Sequence, residues 1–291
     1  MTYPRPCKKR KATALRPLSA ELSTLSRSDG SASLRCGNTH ILVAVHGPTA
    51  PRMSRWEKYD RGAVSVAFSR GLMAHHSSSA GASSSPAPSD GGGPSPPATS
   101  GGDGAPGERM KPLPVPLPPG LGASERELEH FLRDALSSCI MLERYPRCVI
   151  QVVVQIVQAD GGVLGTAVNC AVMALMDAGL AMRGLPVAST CVVFGGAGEK
   201  SGQERVGGGV TVWLDPTAEE ESGEGHSTVV LVTDASEQSL ILNSMTFGSP
   251  LSLEGLTCSI DVSNQMAVAM LKFMRLAVEQ KVTKELQTLW S

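Results

Sequence analysis

The stretch 158-QADGGVLGTAVNCAVMALMDAGLAMRGL-185 decides how this chain folds. From about Thr166 to Asp177 its residues are almost wholly apolar, and a helix apolar all round has to be buried on every side. Gly179 follows as a C-terminal cap. Just upstream, 148-CVIQVVVQIVQ-158 is β-branched and apolar, the composition of a central strand. A strand, a glycine turn at Gly161-Gly162 and a helix start make an arrangement that often holds phosphate. Here, however, Val163 and Leu164 fill the turn and no cation stands in it.

Working towards the N-terminus, Ser124 and Glu127 form a capping-box pattern. Leu128, Phe131, Leu132, Ala135, Leu136, Cys139 and Ile140 then recur at helical spacing, and Pro146 stops the helix. Between about 75 and 120 the composition falls to Ser, Gly, Pro and Ala. Such a segment buries too little apolar surface to offset its chain entropy, so it reads as a disordered insertion. The strands before it are too few to close a unit alone. They are 39-THILVAVHGP-48, 63-AVSVAFS-69 and a pair, 21-ELSTLSRS-28 and 31-SASLRC-36, joined by a turn at Asp29-Gly30.

Towards the C-terminus come four strands: 187-VASTCVVF-194, 209-GVTVWL-214, 227-STVVLVTD-234 and 239-SLILNSM-245. A long last helix runs from about Leu251 to Leu286. The order suits one α+β domain over 20–291, with helices layered on sheets. Residues 1–19 read as a disordered basic tail, broken by Pro4, Pro6 and Pro17. Its KKRK at 8–11 has the composition of a nuclear-import patch and equally of a solvated tail.

Composition limits the function classes. Six Lys or Arg lie in the first 20 residues, leaving 20 basic against 27 acidic residues elsewhere. A body about seven charges negative does not attract polyanions by its overall field, so any nucleic-acid contact has to be local. Seven scattered cysteines without C-x-x-C spacing read as reduced, buried thiols of an intracellular protein. No apolar run is long enough to span a membrane. The six histidines show no metal-ligand spacing, and neither metal nor cofactor is implied. The loop 195-GGAGEKSG-202 holds Lys200-Ser201, but Glu199 stands where a phosphate loop needs glycine, so a hairpin loop is the better reading.

The segments 26-SRSDGSASLRCGNTHILVAVHGP-48, 145-YPRCVIQVVVQIVQADGG-162, 169-NCAVMALMDAGLAMRGL-185 and 213-WLDPTAEEES-222 resemble the RNase PH-like proteins, specifically the exosome-core subunits. The resemblance implies their α+β fold, ribosomal protein S5 domain 2-like. It implies a hexameric ring of three heterodimers, capped by RNA-binding subunits and serving an attached catalytic nuclease. The dimer partner would resemble ribosomal RNA-processing protein 43. RNA processing, including that of ribosomal RNA, and RNA degradation in nucleus, nucleolus and cytoplasm are expected.

Active members of that family carry hydroxyls and an arginine at the helix start to hold phosphate. The corresponding positions here are Val163, Leu164 and Gly165, with only the hydroxyl of Thr166 nearby. The guanidinium supplies full charge and a bidentate fork. Without it, the resemblance implies a degenerate, non-catalytic subunit. Asp215 and Glu221 match the family's acidic pair and suit a general acid or metal ligand. The plainer alternative makes Asp215 a brace for the turn before Pro216, and Glu219, Glu220 and Glu221 a solvated acidic run. The alternative function is a phosphorolytic or metal-assisted ribonuclease, or a ring-independent homodimer. In archaeal relatives the loop after the Gly-Pro strand contacts RNA. Here it carries Arg52, Arg55, Trp56, Lys58 and Arg61, cations plus an aromatic suited to weak single-strand binding. Ser54 stands where the archaeal arginine falls. Ala123 and Ser124 replace a basic pair before the first helix.

Overall fold

The structure is a computed structural model that describes Arg5 and residues 10–51, 57–70, 125–194, 210–223, 225–234 and 240–290. Two sheets sandwich a central helix. The first has strand order β1-β2-β3-β5-β4. Its members are β1 (Leu18–Leu22), β2 (Gly30–Cys36), β3 (Thr39–Thr49), β4 (Ala63–Arg70) and β5 (Val149–Gln158). All its pairs are antiparallel except β4 and β5, which run parallel with Ala63 opposite Val149. The second sheet is antiparallel, in the order β7-β6-β8-β9. It is built from β6 (Pro186–Phe194), β7 (Thr211–Leu214), β8 (His226–Asp234) and β9 (Leu240–Gly248).

The helix α2 (Val163–Asp177) lies between β2 and β3 on one side and β6 on the other. All residues from Val163 to Leu175 are buried, which is why the sequence has no polar stripe there. A second layer, α4 (Leu253–Trp290), covers the far side of β6, β7 and β8. Covered on both faces, β6 and β8 read as near-continuous apolar runs. The helix α1 (Glu125–Cys139) packs on β4 and β9 with Leu128, Leu132 and Leu136 inward. The six described cysteines are unpaired, four of them buried. No described helix is long and apolar enough to cross a membrane.

Several elements differ from expectation. The first strand is Leu18–Leu22, not 21–28, because Ser23 turns left-handed at φ 54° and residues 23–29 form a longer connection. Gly30 is therefore not a turn residue but the start of β2. A Cβ there would fall 2.4 Å from the Ala174 carbonyl oxygen and 2.6 Å from the Ala178 Cβ. Gly30→Ala is expected to cost on the order of 1–3 kcal/mol through this overpacking, read as a lower urea midpoint at constant slope. The helix α2 begins at Val163, three residues before the expected Thr166, because Gly161 and Gly162 complete the turn at φ 71° and 60°.

The tail departs most. Arg5 and Arg16 are buried, so these parts of residues 1–19 are packed rather than disordered. Ala12 accepts a hydrogen bond from the Leu214 N–H at 2.8 Å, laying this arm along β7. The insertion at 75–120, the loop at 195–202, Ala123 and Ser124 lie outside the described residues.

Candidate functional site

Two turns meet at one end of α2. One is Asp160-Gly161-Gly162, between β5 and α2. The other runs from Asp215 into the short helix α3 (Ala218–Glu221). They fit closely: a Cβ on Gly161 would fall 2.5 Å from the Pro216 carbonyl oxygen. The Asp160 carboxylate also accepts from the Ala218 N–H at 3.2 Å.

Arg16, from the arm, fills the junction. Its Nε and NH2 groups donate to Asp215 Oδ1 at 2.9 and 2.6 Å, and its backbone N–H donates to Oδ2 at 2.9 Å. It also donates to the carbonyl oxygens of Asp160 and, at 3.2 Å, Gly161. The Cys36 thiol completes the ring at 3.2 Å from Asp215 Oδ2. Burial alone would push the Asp215 carboxyl up, but the Arg16 hydrogen bonds and charge hold it below the usual range. Burial likewise opposes the Arg16 charge, and Asp215 overcomes it, raising that guanidinium above its ordinary value. Burial beside Asp215 takes the Cys36 thiol up to about 12. Both Asp215 oxygens are thus engaged by the chain itself, which is the bracing role.

The acidic run is not solvated. Glu219 is exposed, but Glu220 and Glu221 are 3% and 2% exposed. Their burial follows from their partners. Arg5 forks onto Glu220 at 2.7 and 3.0 Å, and Arg10 joins at 3.2 Å. Glu221 Oε1 accepts from the Gly162 N–H at 2.8 Å, whereas Oε2 has no partner among the described residues. Burial raises the Glu221 carboxyl to about 7, against the Gly162 hydrogen bond and Arg16, with Asp215 and Asp160 adding to the rise.

The helix start offers little to an anion. Val163 and Leu164 are 0% and 1% exposed. The Thr166 hydroxyl points back into its own helix, donating to the Gly162 carbonyl at 2.8 Å. The Gly162 N–H is taken by Glu221. A cavity of about 20 Å³ beside Cys36, Gly162, Gly165, Thr166 and Asp215 has room for a water. Among the described residues no three or more His, Cys, Asp or Glu side chains are grouped so as to hold a metal ion.

The sequence model of the 3' exoribonuclease family, domain 1 (RNase PH), matches residues 14–95 and 114–181, more than half of the chain. The chain belongs to the 3' exoribonuclease family. Within that family, an Arabidopsis thaliana exosome complex component RRP41 homolog is 28% identical over 61% of this chain, and the chain spans 58% of that relative. Exosome complex component Rrp41 of Pyrobaculum calidifontis is 31% identical over 60% of this chain and 55% of its own length. Among solved structures, rice Rrp46 superposes with a TM-score of 0.66 at 24% identity, covering 93% of this chain and 98% of that one. An Archaeoglobus fulgidus exosome with RNA bound to the active site gives 0.60 at 18%, covering 91% of each chain. These likenesses bear out the RNase PH-like α+β fold and the resemblance to exosome-core subunits.

Of the candidate residues, the structure brings Asp215 and Glu221 to the same junction, each bonded within the chain. Lys58 and Arg61 are exposed at the sheet end where β3 finishes and β4 begins. Arg52, Arg55 and Trp56 lie outside the described residues. Sequence reasoning missed Arg5, Arg10 and Arg16.

Proposed function

We propose that this member of the family is a non-catalytic ring subunit of an RNA exosome core, scaffolding 3'-5' RNA processing and degradation around a threading channel. The observation that carries it is the occupied junction. Arg16 neutralises Asp215 from within the chain, while aliphatic Val163 and Leu164 stand at the helix start. A charge-assisted phosphate contact is worth about 1.5–3 kcal/mol, and among the described residues the cation at this junction, Arg16, is already engaged by Asp215. The names of the relatives and of the similar structures support the exosome setting.

Its partners would be other RNase PH-like subunits, including one resembling ribosomal RNA-processing protein 43, RNA-binding caps and an attached nuclease. Leu253 and Trp290 of α4 and Leu240 of β9 are 77%, 87% and 52% exposed, surface suited to neighbouring subunits. Arg52, Arg55, Trp56, Lys58 and Arg61 would touch single-stranded RNA weakly. Nuclear, nucleolar and cytoplasmic locations follow from that role. The competing phosphorolytic reading has one observation in its favour, the Glu221 carboxyl near neutrality, a value suited to a general acid.

Purified chain incubated with 3'-labelled single-stranded RNA, phosphate and magnesium is expected to release no nucleoside diphosphate. Affinity purification from cells is expected to yield a stoichiometric set of related subunits. Phosphate-dependent release that disappears in Asp215→Asn at retained fold would establish the enzyme instead.

A further inference from the structure

We propose that the N-terminal arm is a latch over its own basic patch. Docked on Glu220 and the end of β7, it withdraws 8-KKRK-11 from a receptor with an acidic groove, and only the released arm is read. The patch has the composition of a nuclear-import signal. The rest of the chain is net acidic, so its field does not gather a polyanion onto the patch. A short acidic groove is the partner that four contiguous cations fit. The latch concerns the arm alone and does not depend on the ring.

Reading a short basic peptide needs an extended backbone and free side chains. The docked arm offers neither at Arg10 and Lys11. Arg10 NH2 donates to the Asp215 carbonyl at 2.8 Å and to Glu220 Oε2 at 3.2 Å, and its side chain is only 14% exposed. The Lys11 carbonyl accepts from the Ala14 N–H at 3.1 Å and from Arg5 NH1 at 2.9 Å, which fixes the backbone in a turn. Lys8 and Lys9 lie outside the described residues. Arg5 is the bolt of the latch. Besides its fork on Glu220, it donates through NH2 to the carbonyls of Leu214 at 2.7 Å and Asp215 at 3.2 Å. Its guanidinium also lies 5.9 Å from the Trp213 ring centroid. Arg10 is held less firmly. Burial and the neighbouring Arg5 charge keep its guanidinium below the ordinary arginine value, and its Nε has no partner among the described residues. The patch therefore sits on the weaker side of the clasp. Opening it breaks the Arg5 and Arg10 contacts, while Arg16 keeps the inner arm on Asp215.

Fluorescence anisotropy of labelled importin α titrated with the full chain tests this. Arg5→Ala and Glu220→Gln each open the clasp without touching 8–11, and glutamine still accepts from the Thr217 N–H. Each variant is expected to bind roughly 10- to 100-fold more tightly than the parent, the weight of one charge-assisted contact in the competent fraction. Adding Lys8→Ala and Lys9→Ala to the Arg5→Ala chain is expected to remove the gain. Trypsin reads the clasp in the parent itself: cleavage after Arg10 is expected to be at least about tenfold slower than after exposed Arg27. Where Arg5→Ala does not fold, Glu220→Gln and the parent digest carry the test. Equal importin α affinity in the parent and the opened chains overturns the latch, as does equal cleavage after Arg10 and Arg27. Failure of every form to bind importin α overturns it too. Opened chains that gain affinity for oligouridylate and not for importin α make the patch a nucleic-acid contact and sink the proposal.

Discussion

Asp215→Asn is expected to lower folding stability by about 3–5 kcal/mol, a fall of roughly 1–2.5 M in the urea midpoint at a slope of about 2–3 kcal/mol/M. The size follows from what is left behind. The carboxylate takes three hydrogen bonds from Arg16, and both side chains are more than nine-tenths buried. Asparagine keeps one acceptor but no charge, which strands a guanidinium in the interior. Removing both members, as in Arg16→Met with Asp215→Leu, strands neither partner of this ion pair and is expected to recover most of the loss. A catalytic Asp215 predicts the reverse pattern, with little change in midpoint and complete loss of RNA phosphorolysis. The pH dependence carries a second signature. The folded Asp215 value is depressed. Its contribution is therefore full above the ordinary aspartate value of about 3.9 and lost as pH falls through the folded value. The double variant should lack that acid limb.

The same buried pair explains what the sequence reveals and what it hides. The central helix is legible because burial on every side leaves a local signature in 166-TAVNCAVMALMD-177. The runs of β6 and β8 are legible for the same reason, whereas β5, buried on alternate residues, is legible from its β-branched composition. The arm is not. Arg16 and Asp215 are 199 residues apart, and no periodicity links them. Pro4, Pro6 and Pro17 beside KKRK give the composition of a free tail, yet Arg5 and Arg16 are the counter-charges that let Glu220 and Asp215 be buried. The four-residue α3 is too short to show a helical pattern, so AEEE reads as a surface run although two of its glutamates point inward. The aliphatic Val163 and Leu164 at the helix start were legible, because they are a matter of residue identity. The internal ion pair of Arg16 with Asp215 beside them needed coordinates.

Glu221→Gln provides the second large effect and separates the two readings of the acidic pair. The folded carboxyl is raised to about 7, against about 4.3 in an unfolded chain. A raised value means that the native state holds its proton more tightly. The associated stability is therefore fully present below about pH 4.3 and is lost as pH rises through 7. The loss is on the order of 3 kcal/mol by pH 8, opposite in direction to the Asp215 limb. Glutamine keeps an acceptor for the Gly162 N–H. Its amide group gains no described acceptor where Oε2 stands, a cost of about 1–3 kcal/mol that does not depend on pH. The variant should thus be less stable near pH 5 and flat from there to pH 8, where the parent declines. Parallel profiles would show an ordinary carboxylate at this position. The same titration bears on anion binding: above neutrality the ionised Glu221 occupies the Gly162 N–H and repels a phosphate. Millimolar phosphate at pH 8 is accordingly expected to leave the thermal midpoint unchanged. An upward shift of several degrees, retained in Asp215→Asn, would mean that the helix start still takes an anion despite its aliphatic filling.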